Sequence, residues 1–559
     1  MKIKRIISSK NKEFRVAPTS AMLFLALGYV SMAQAAILAD PNQSQKPQVL
    51  GNVNGSITVN INSTSSGGIS HNKYSQFNIE KSGVILNNSN TSNYTELGGY
   101  VSANKNLTKG PAQLIINEVT SNKTSTLNGK IEVSGNKADV IIANPAGIVC
   151  DGCGFINTGW STLTTGHLKM NNGELSGINV KEGIITISGK GMDDRRSDYT
   201  ALLSNTVKVN SQLKANDLQV MAGQHNYLVQ GYGKWLSNGG ATQRVNATGL
   251  DVAALGGMYA NKITLVVEQD GVGINNKGLI SADTDLSIST NGIISNTGKI
   301  STGGDIDINT VDTFSNDRGT LTSAGDFYLN SQKTSNNAGH IDAKNINIVS
   351  NQIINTNSNS YSPTSGKEGG MIADENLIIN SGVNIDGNNG NFRSNNGAVS
   401  LTAAQKNDLS SSTINGSDIY LIGEEVKTGE AWKASTQVGY EVLKAAKINA
   451  RNDVNIKAGE FYYNNAVINS KNDVNIIAGR IGVWNVISAK KDVNLIAKTG
   501  QINNYNTIFS GSDISLTSPQ GIFNDKYGKI LAAGNLYTSG SSLTNNGFIS
   551  SENYDDYSF

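Results

Sequence analysis

The sequence predicts an all-β chain wound into a solenoid, and three observations carry that expectation. Glycine makes up 60 of 559 residues, about 11% against a usual 7% or so, while proline occurs only 7 times. Ile, Val and Thr fall in short runs between Asn and Gly, and stretches of Ala, Glu, Lys and Leu that would favour helix are almost missing. Third, the C-terminal half repeats a unit. LISADTDLSI, KISTGGDIDI, TLTSAGDFYL and HIDAKNINIV align on Ile280, Ile300, Leu321 and Ile341, and KINARNDVNI, VINSKNDVNI, VISAKKDVNL, TIFSGSDISL and KILAAGNLYT on Ile448, Ile468, Ile487, Ile508 and Ile530. A period near 20 with two alternating strands and no helical segment is the signature of stacked β-coils. The aligned residues should then form one inward column, with Ile306 and Ile308 pointing inward from the neighbouring strand.

Element by element, the chain starts with a basic leader (Lys2, Lys4, Arg5, Lys10, Lys12, Arg15), an apolar core at Ala21–Val30 and a small-x-small site at Ala33-Gln34-Ala35. That is the layout of an export signal over residues 1–35, with an apolar core too short to span a bilayer. Removing it takes the formal charge from +1 to −4, because six basic residues and the acidic Glu13 leave. A weakly acidic chain without a basic stripe argues against nucleic-acid binding. Residues 36–275 are punctuated strand with irregular spacing, and 276–559 form the repeat array, with an irregular insert at about 351–440 that includes the loop NSNSYSPTSGKEGG. Asn and Gly between strands suit turns with left-handed backbone angles. About 26 coils at roughly 4.8 Å each would give a rod on the order of 125 Å.

Few residues could carry chemistry. Cys150 and Cys153, the only cysteines, sit in ANPAGIVCDGCGFINTG. A metal site would need nearby histidines, and His71, His167, His225 and His340 are dispersed. A redox pair would want a helix N-terminus, which Gly152, Gly154, Phe155 and Ile156 do not announce. In an exported protein the pair reads as a local disulfide clip. Asp305, Asp326, Asp453, Asp473, Asp492 and Asp513 recur at one coil position, as a turn residue bonding its own backbone does and a single catalytic carboxylate does not. Asp193, Asp194, Arg195, Arg196 and Asp198 read as a solvated charged loop. No enzyme activity, metal or cofactor is expected.

Three stretches in order, GISHNKYSQFNIEKSGVILNN, KADVIIANPAGIVCDGCGFINT and ALGGMYANKITLV, resemble the secretion domain of two-partner secretion exoproteins (TpsA proteins). That family includes filamentous haemagglutinin, haemolysins and the contact-dependent growth inhibition protein CdiA. The resemblance covers about residues 40 to 270, and the 20-residue units look like filamentous haemagglutinin repeats. It implies a right-handed parallel β-helix with an N-terminal cap, moved to the periplasm by the general secretion machinery. An outer-membrane barrel of the Omp85 type, the TpsB partner, would then bind the unfolded secretion domain and translocate it. Of the family's two recognition motifs, N-P-N-G-I falls on Asn144, Pro145, Ala146, Gly147 and Ile148, with Ala146 in place of the second Asn. N-P-N-L falls on Asn104, Lys105, Asn106 and Leu107, where Lys105 replaces the proline that would rigidify a turn. The reading that follows is a secreted or surface-exposed adhesin that meets a receptor on a host or neighbouring cell. The alternatives are the front part of a CdiA-like toxin delivery protein without its toxin domain, and a haemolysin-like cytolysin. Repeats run to Ile549 with no globular segment after them, so the chain is expected to be a truncated or split piece of such a protein.

Overall fold

The computed structural model describes residues 37–230, 234–240, 247–362, 368–430, 432–436 and 439–558. The export signal read at residues 1–35 lies outside them. The described chain is a parallel β-solenoid of about 19 turns, and among these residues the one helical segment is the 3-10 turn Ser358–Ser360.

Two antiparallel pairings form the N-terminal cap. Ile37–Ala39 runs against Ile69–Phe77, and Gln48–Gly51 against Ile57–Asn60. From there the strands of the solenoid itself pair in parallel, as in Ile69–Phe77 with Leu114–Val119 and then Ala138–Ala143. The repeat column is continuous: Met258, Ile280, Ile300, Leu321 and Ile341 stack in register. Every one of them is buried. Ile306 and Ile308 likewise face inward, over Phe327 and Leu329. Alternation decides which residues go in. In Val474–Ala478, Val474, Ile476 and Ala478 are buried while Asn475 and Ile477 are partly exposed.

Across 351–440 the column does not stop. Met371, Phe392 and Ile414 carry it from Ile341 to Ile448. What stretches the spacing there is two excursions, one after Ile354 and one around a hairpin of Trp432–Ser435 with Gly439–Val442. The same effect lowers the coil count from about 26 to about 19. Inserts between strands make several coils far longer than 20 residues, with steps of 45 from Ile69 to its partner Leu114, 39 from Ser161 to Thr200 and 45 from Asp217 to Lys262. At roughly 4.8 Å per coil the rod is about 90 Å long.

One outer face is covered as well. Leu114–Val119 (LIINEV) and Ala138–Ala143 (ADVIIA) have apolar residues side by side, so both of their faces need cover. A four-stranded antiparallel sheet, His167–Asn171, Glu174–Val180, His225–Gln230 and Lys234–Gly240, supplies it. Ile178 and Trp235 of that sheet join Ile69, Ile116, Ile141 and Leu203 in a second apolar cluster.

Two side-chain ladders tie coil to coil. Asn276 donates its amide to Asn296, Asn296 to Asn316, Asn316 to Asn336 and Asn336 to Asn355, at 2.7–2.9 Å. The second N–H of Asn276, Asn296 and Asn316 goes to the carbonyls of Lys299, Thr320 and His340. These asparagines are buried. Most Asn in the rod therefore serve by side-chain bonding, and left-handed backbone is confined to a few, such as Asn157, Asn172, Asn357 and Asn389. The recurrent aspartates form the second ladder. Asp453 accepts the backbone N–H of Asp473, Asp473 that of Asp492, and Asp492 that of Asp513. The bond runs to the next coil rather than to the residue's own backbone, which is why the residue recurs.

Candidate functional site

The two motifs build the same turn. Asn144 is fully buried between the strand Ala138–Ala143 and the strand Ile148–Cys150. Its Oδ1 accepts the N–H of Ala146 at 3.0 Å, and Gly147 N–H donates to the Asn144 carbonyl at 3.0 Å. Its Nδ2 reaches back to Lys123 O (2.8 Å) and Ser125 Oγ (2.9 Å) of the preceding coil. Gly147 has φ +116°, a backbone angle that a residue with a Cβ resists. Ile148 then drops into the core in register with Ser125 and Ile185.

At the first motif Asn104 takes the same part. Its Oδ1 accepts Asn106 N–H at 3.0 Å, its Nδ2 donates to Ile61 O (3.0 Å) and Asn87 O (2.9 Å), and Leu107 N–H closes on the Asn104 carbonyl at 3.3 Å. Leu107 is buried and Lys105 exposed. A turn therefore forms here without proline, because the asparagine side chain, not the ring, fixes it. In the folded domain only the two middle residues of each turn reach the surface, Lys105 with Asn106 and Pro145 with Ala146.

Pro145 and Ala146 border a cleft of about 430 Å³ that Glu118, Asn122, His167 and Glu182 also line. His71 Nε2 lies 2.7 Å from Glu118 Oε2, with Lys73 at 3.8 Å. Burial pushes the Glu118 carboxyl up, but the His71 hydrogen bond and the charges of His71 and Lys73 outweigh it and hold the group below the usual carboxylate range.

Past the second motif, Cys150 and Cys153 form a disulfide with Cα atoms 5.4 Å apart, both buried. It spans the corner between Ile148–Cys150 and Gly154–Ile156, which belong to different faces of the coil. Gly152, at φ +96°, donates to Gly191 O at that corner.

The charged cluster read as a solvated loop is a strand, Met192–Ser204. Its members divide. Asp193 pairs with Arg195, Arg196 with Glu96 and Lys137 with Asp198, all at the surface. Asp194 is fully buried and accepts from Phe155 N–H (2.9 Å), Ser197 (3.0 Å), Thr200 (2.7 Å) and Ser161. Burial pushes its carboxyl up to about 6 against the pull of those donors. The bulge between Asp194 and Tyr199 turns this carboxylate inward. Charge density alone hid it, since the sequence offers no alternation to mark one aspartate among five charged residues. Among the described residues no group of three or more His, Cys, Asp or Glu is placed to hold a metal ion.

The model of the TPS secretion domain family matches residues 35–302. Toxin CdiA of Yersinia pestis is 45% identical over 299 residues, 53% of this chain and 9% of that protein. The tRNA nuclease CdiA of Yersinia mollaretii is 35% identical over 418 residues, 72% of this chain and 13% of that protein. A solved filamentous hemagglutinin secretion domain superposes with a TM-score of 0.43 at 31% identity, over 54% of this chain and 96% of its own. Residues 35–302 thus make up a secretion domain of the two-partner class, whose proteins reach the cell surface or the medium. The chain is a two-partner secretion exoprotein of the TpsA/CdiA type. It spans only about a tenth of the length of the CdiA relatives given above.

Proposed function

We propose that this chain is the export and stalk portion of a CdiA-like contact-dependent delivery protein. An outer-membrane TpsB transporter recognises it, through the periplasm, by the turns Asn104–Leu107 and Asn144–Ile148. The carrying observation is the shared construction of those turns, inside the residues that match the secretion domain. Asn144 has its side-chain N–H groups and Oδ1 committed in the folded coil. A partner that reads it must therefore meet the chain before the coil closes, which fits translocation of an unfolded domain. The similarity to Toxin CdiA and tRNA nuclease CdiA weighs towards delivery over adhesion alone. Their nuclease activity is a property of those whole proteins, and none is proposed for these residues.

The test is secretion in a bacterium that carries the cognate transporter. Pro145→Ala keeps every hydrogen bond of the second turn, so a loss of secretion with an unchanged circular dichroism spectrum of the purified chain identifies recognition. Normal secretion of both Pro145→Ala and Asn144→Ala removes the motif assignment. A second reading, attachment to other cells by the rod itself, is favoured by the aromatic cleft described next.

A further inference from the structure

The hairpin of Trp432–Ser435 and Gly439–Val442 leaves the solenoid and lies over the coils that follow it. Trp432 stacks on Trp484 with ring centroids 3.7 Å apart, Trp484 on Tyr505 at 3.8 Å, and Tyr440 meets Trp484 edge-on at 5.0 Å. Such a wall would be ordinary packing if it were covered. Trp484 is covered, at 8% exposed, but Trp432 at the end of the stack is 40% exposed, and Phe461 and Tyr463, which line the same cleft, are each 38% exposed. The last two flank the inward Tyr462 on the strand Val454–Asn464, so they stand on the outer face, with rings 5.4 Å apart.

These three rings line a cleft of about 350 Å³ together with Asn465, Glu425 and Glu430. Phe461 and Glu425 also belong to an adjoining cleft of about 400 Å³ lined by Asn384, Gln405, Glu424 and Glu460. The two make one groove that crosses consecutive coils along the rod axis. An independent observation sets it apart from ordinary surface. Asn465 is 6% exposed and lines the groove, its Nδ2 donates to Gly429 O, and its Oδ1 has no hydrogen-bond partner among the described residues. A buried acceptor left unmade costs about 1–3 kcal/mol, so it calls for a donor from outside.

We infer that this groove binds a neutral glycan chain. An aromatic face takes the C–H face of a pyranose ring, and carboxylates and side-chain amides accept and donate to its hydroxyls. A sugar hydroxyl supplies the donor that Asn465 Oδ1 lacks. The coil spacing of about 4.8 Å is close to the length of one pyranose, so successive sugars meet successive coils. A cationic ligand would satisfy the rings and carboxylates, but Lys406 and Lys427 line the groove among its four glutamates and Lys444 lies 3.3 Å from Glu430, which weakens that attraction. The groove lies outside residues 35–302, and the inference rests on the rod being displayed to other cells.

Purified full-length chain titrated with cellohexaose, maltohexaose, a β-1,3-glucan hexamer and an N-acetylglucosamine hexamer, followed by calorimetry and tryptophan fluorescence, tests it. At least one should bind, and Trp432→Ala should weaken that binding tenfold or more without shifting the thermal unfolding midpoint. Deletion of residues 430–444 should abolish it, the stem being already closed by Ala446 N–H on Thr428 O at 2.8 Å. The inference falls if none of the four binds at millimolar concentration, if Trp432→Ala binds as tightly as the parent, or if only choline or a lysine-rich peptide binds. Failure here leaves the secretion assay untouched, and failed secretion leaves binding by the purified chain measurable.

Discussion

Asn144 and Asn104 each close a turn with one side chain, using Oδ1 inside the turn and Nδ2 on the coil before it. Replacement of Asn144 by alanine leaves the Lys123 carbonyl and the buried Ser125 hydroxyl without that donor and the Ala146 N–H without its acceptor, so Asn144→Ala should lower local stability by about 2–3 kcal/mol, read as faster amide exchange in Lys123–Ile148. Loss of the Cys150–Cys153 bond should be gentler, because its loop is short: Cys150→Ser with Cys153→Ser should keep the circular dichroism spectrum and lower the unfolding midpoint modestly. Asp194 makes a prediction in pH. Its folded value, about 6, lies above the ordinary 3.8, so the folded chain holds the extra proton between the two. The stability it contributes is full below about pH 4 and is lost as pH rises through 6. Asp139 is pushed up to about 6 as well, by burial ahead of its bond from Trp160 N–H, and adds to the same window. Asp194→Asn should flatten the fall in unfolding midpoint between pH 4 and 6, and a slope equal to the parent's would sink the assignment. At this scale the sequence marked the turn asparagines by motif, whereas Asp194 depends on a bulge that no local pattern announces.

At the scale of the coil, the apolar column was legible from spacing alone: Ile280, Ile300, Leu321 and Ile341 stack as their period says. Between 351 and 440 the spacing fails because excursions lengthen the chain, not because the strands leave the ladder. Met371, Phe392 and Ile414 have the inward place without the motif around them. In the sequence the ladder asparagines read only as turn residues, since Asn and Gly between strands suit turns, and their side-chain bonding becomes visible only once the coils are stacked. Asn316 sits at the middle of that ladder with partners on both sides. Asn316→Leu should break both of its bonds within the ladder and its bond to the His340 carbonyl, and expose neighbouring amides to exchange, about 2–4 kcal/mol locally, while coils several turns away keep their protection. Uniform loss of protection along the rod would contradict nearest-neighbour stacking.

For the molecule as a whole, about 19 turns give a rod of about 90 Å, which small-angle scattering would read as a cross-section term far shorter than the length. A length near 125 Å would restore the higher coil count. The secretion domain and the repeats share one continuous core, and no break in the column separates residues 258 and 280. The ladders have a direction. Asn276, Asn296, Asn316 and Asn336 each hand an N–H to the coil that follows, and Asp453, Asp473 and Asp492 each offer that coil an acceptor. A rod begun at its N-terminal end thus always presents a half-filled template to the next stretch of chain. Each coil that docks fills those bonds and opens the same vacancies one step further on. If the chain is exported through a pore as proposed above, such a sequence of captures would act as a pawl that resists backward slippage.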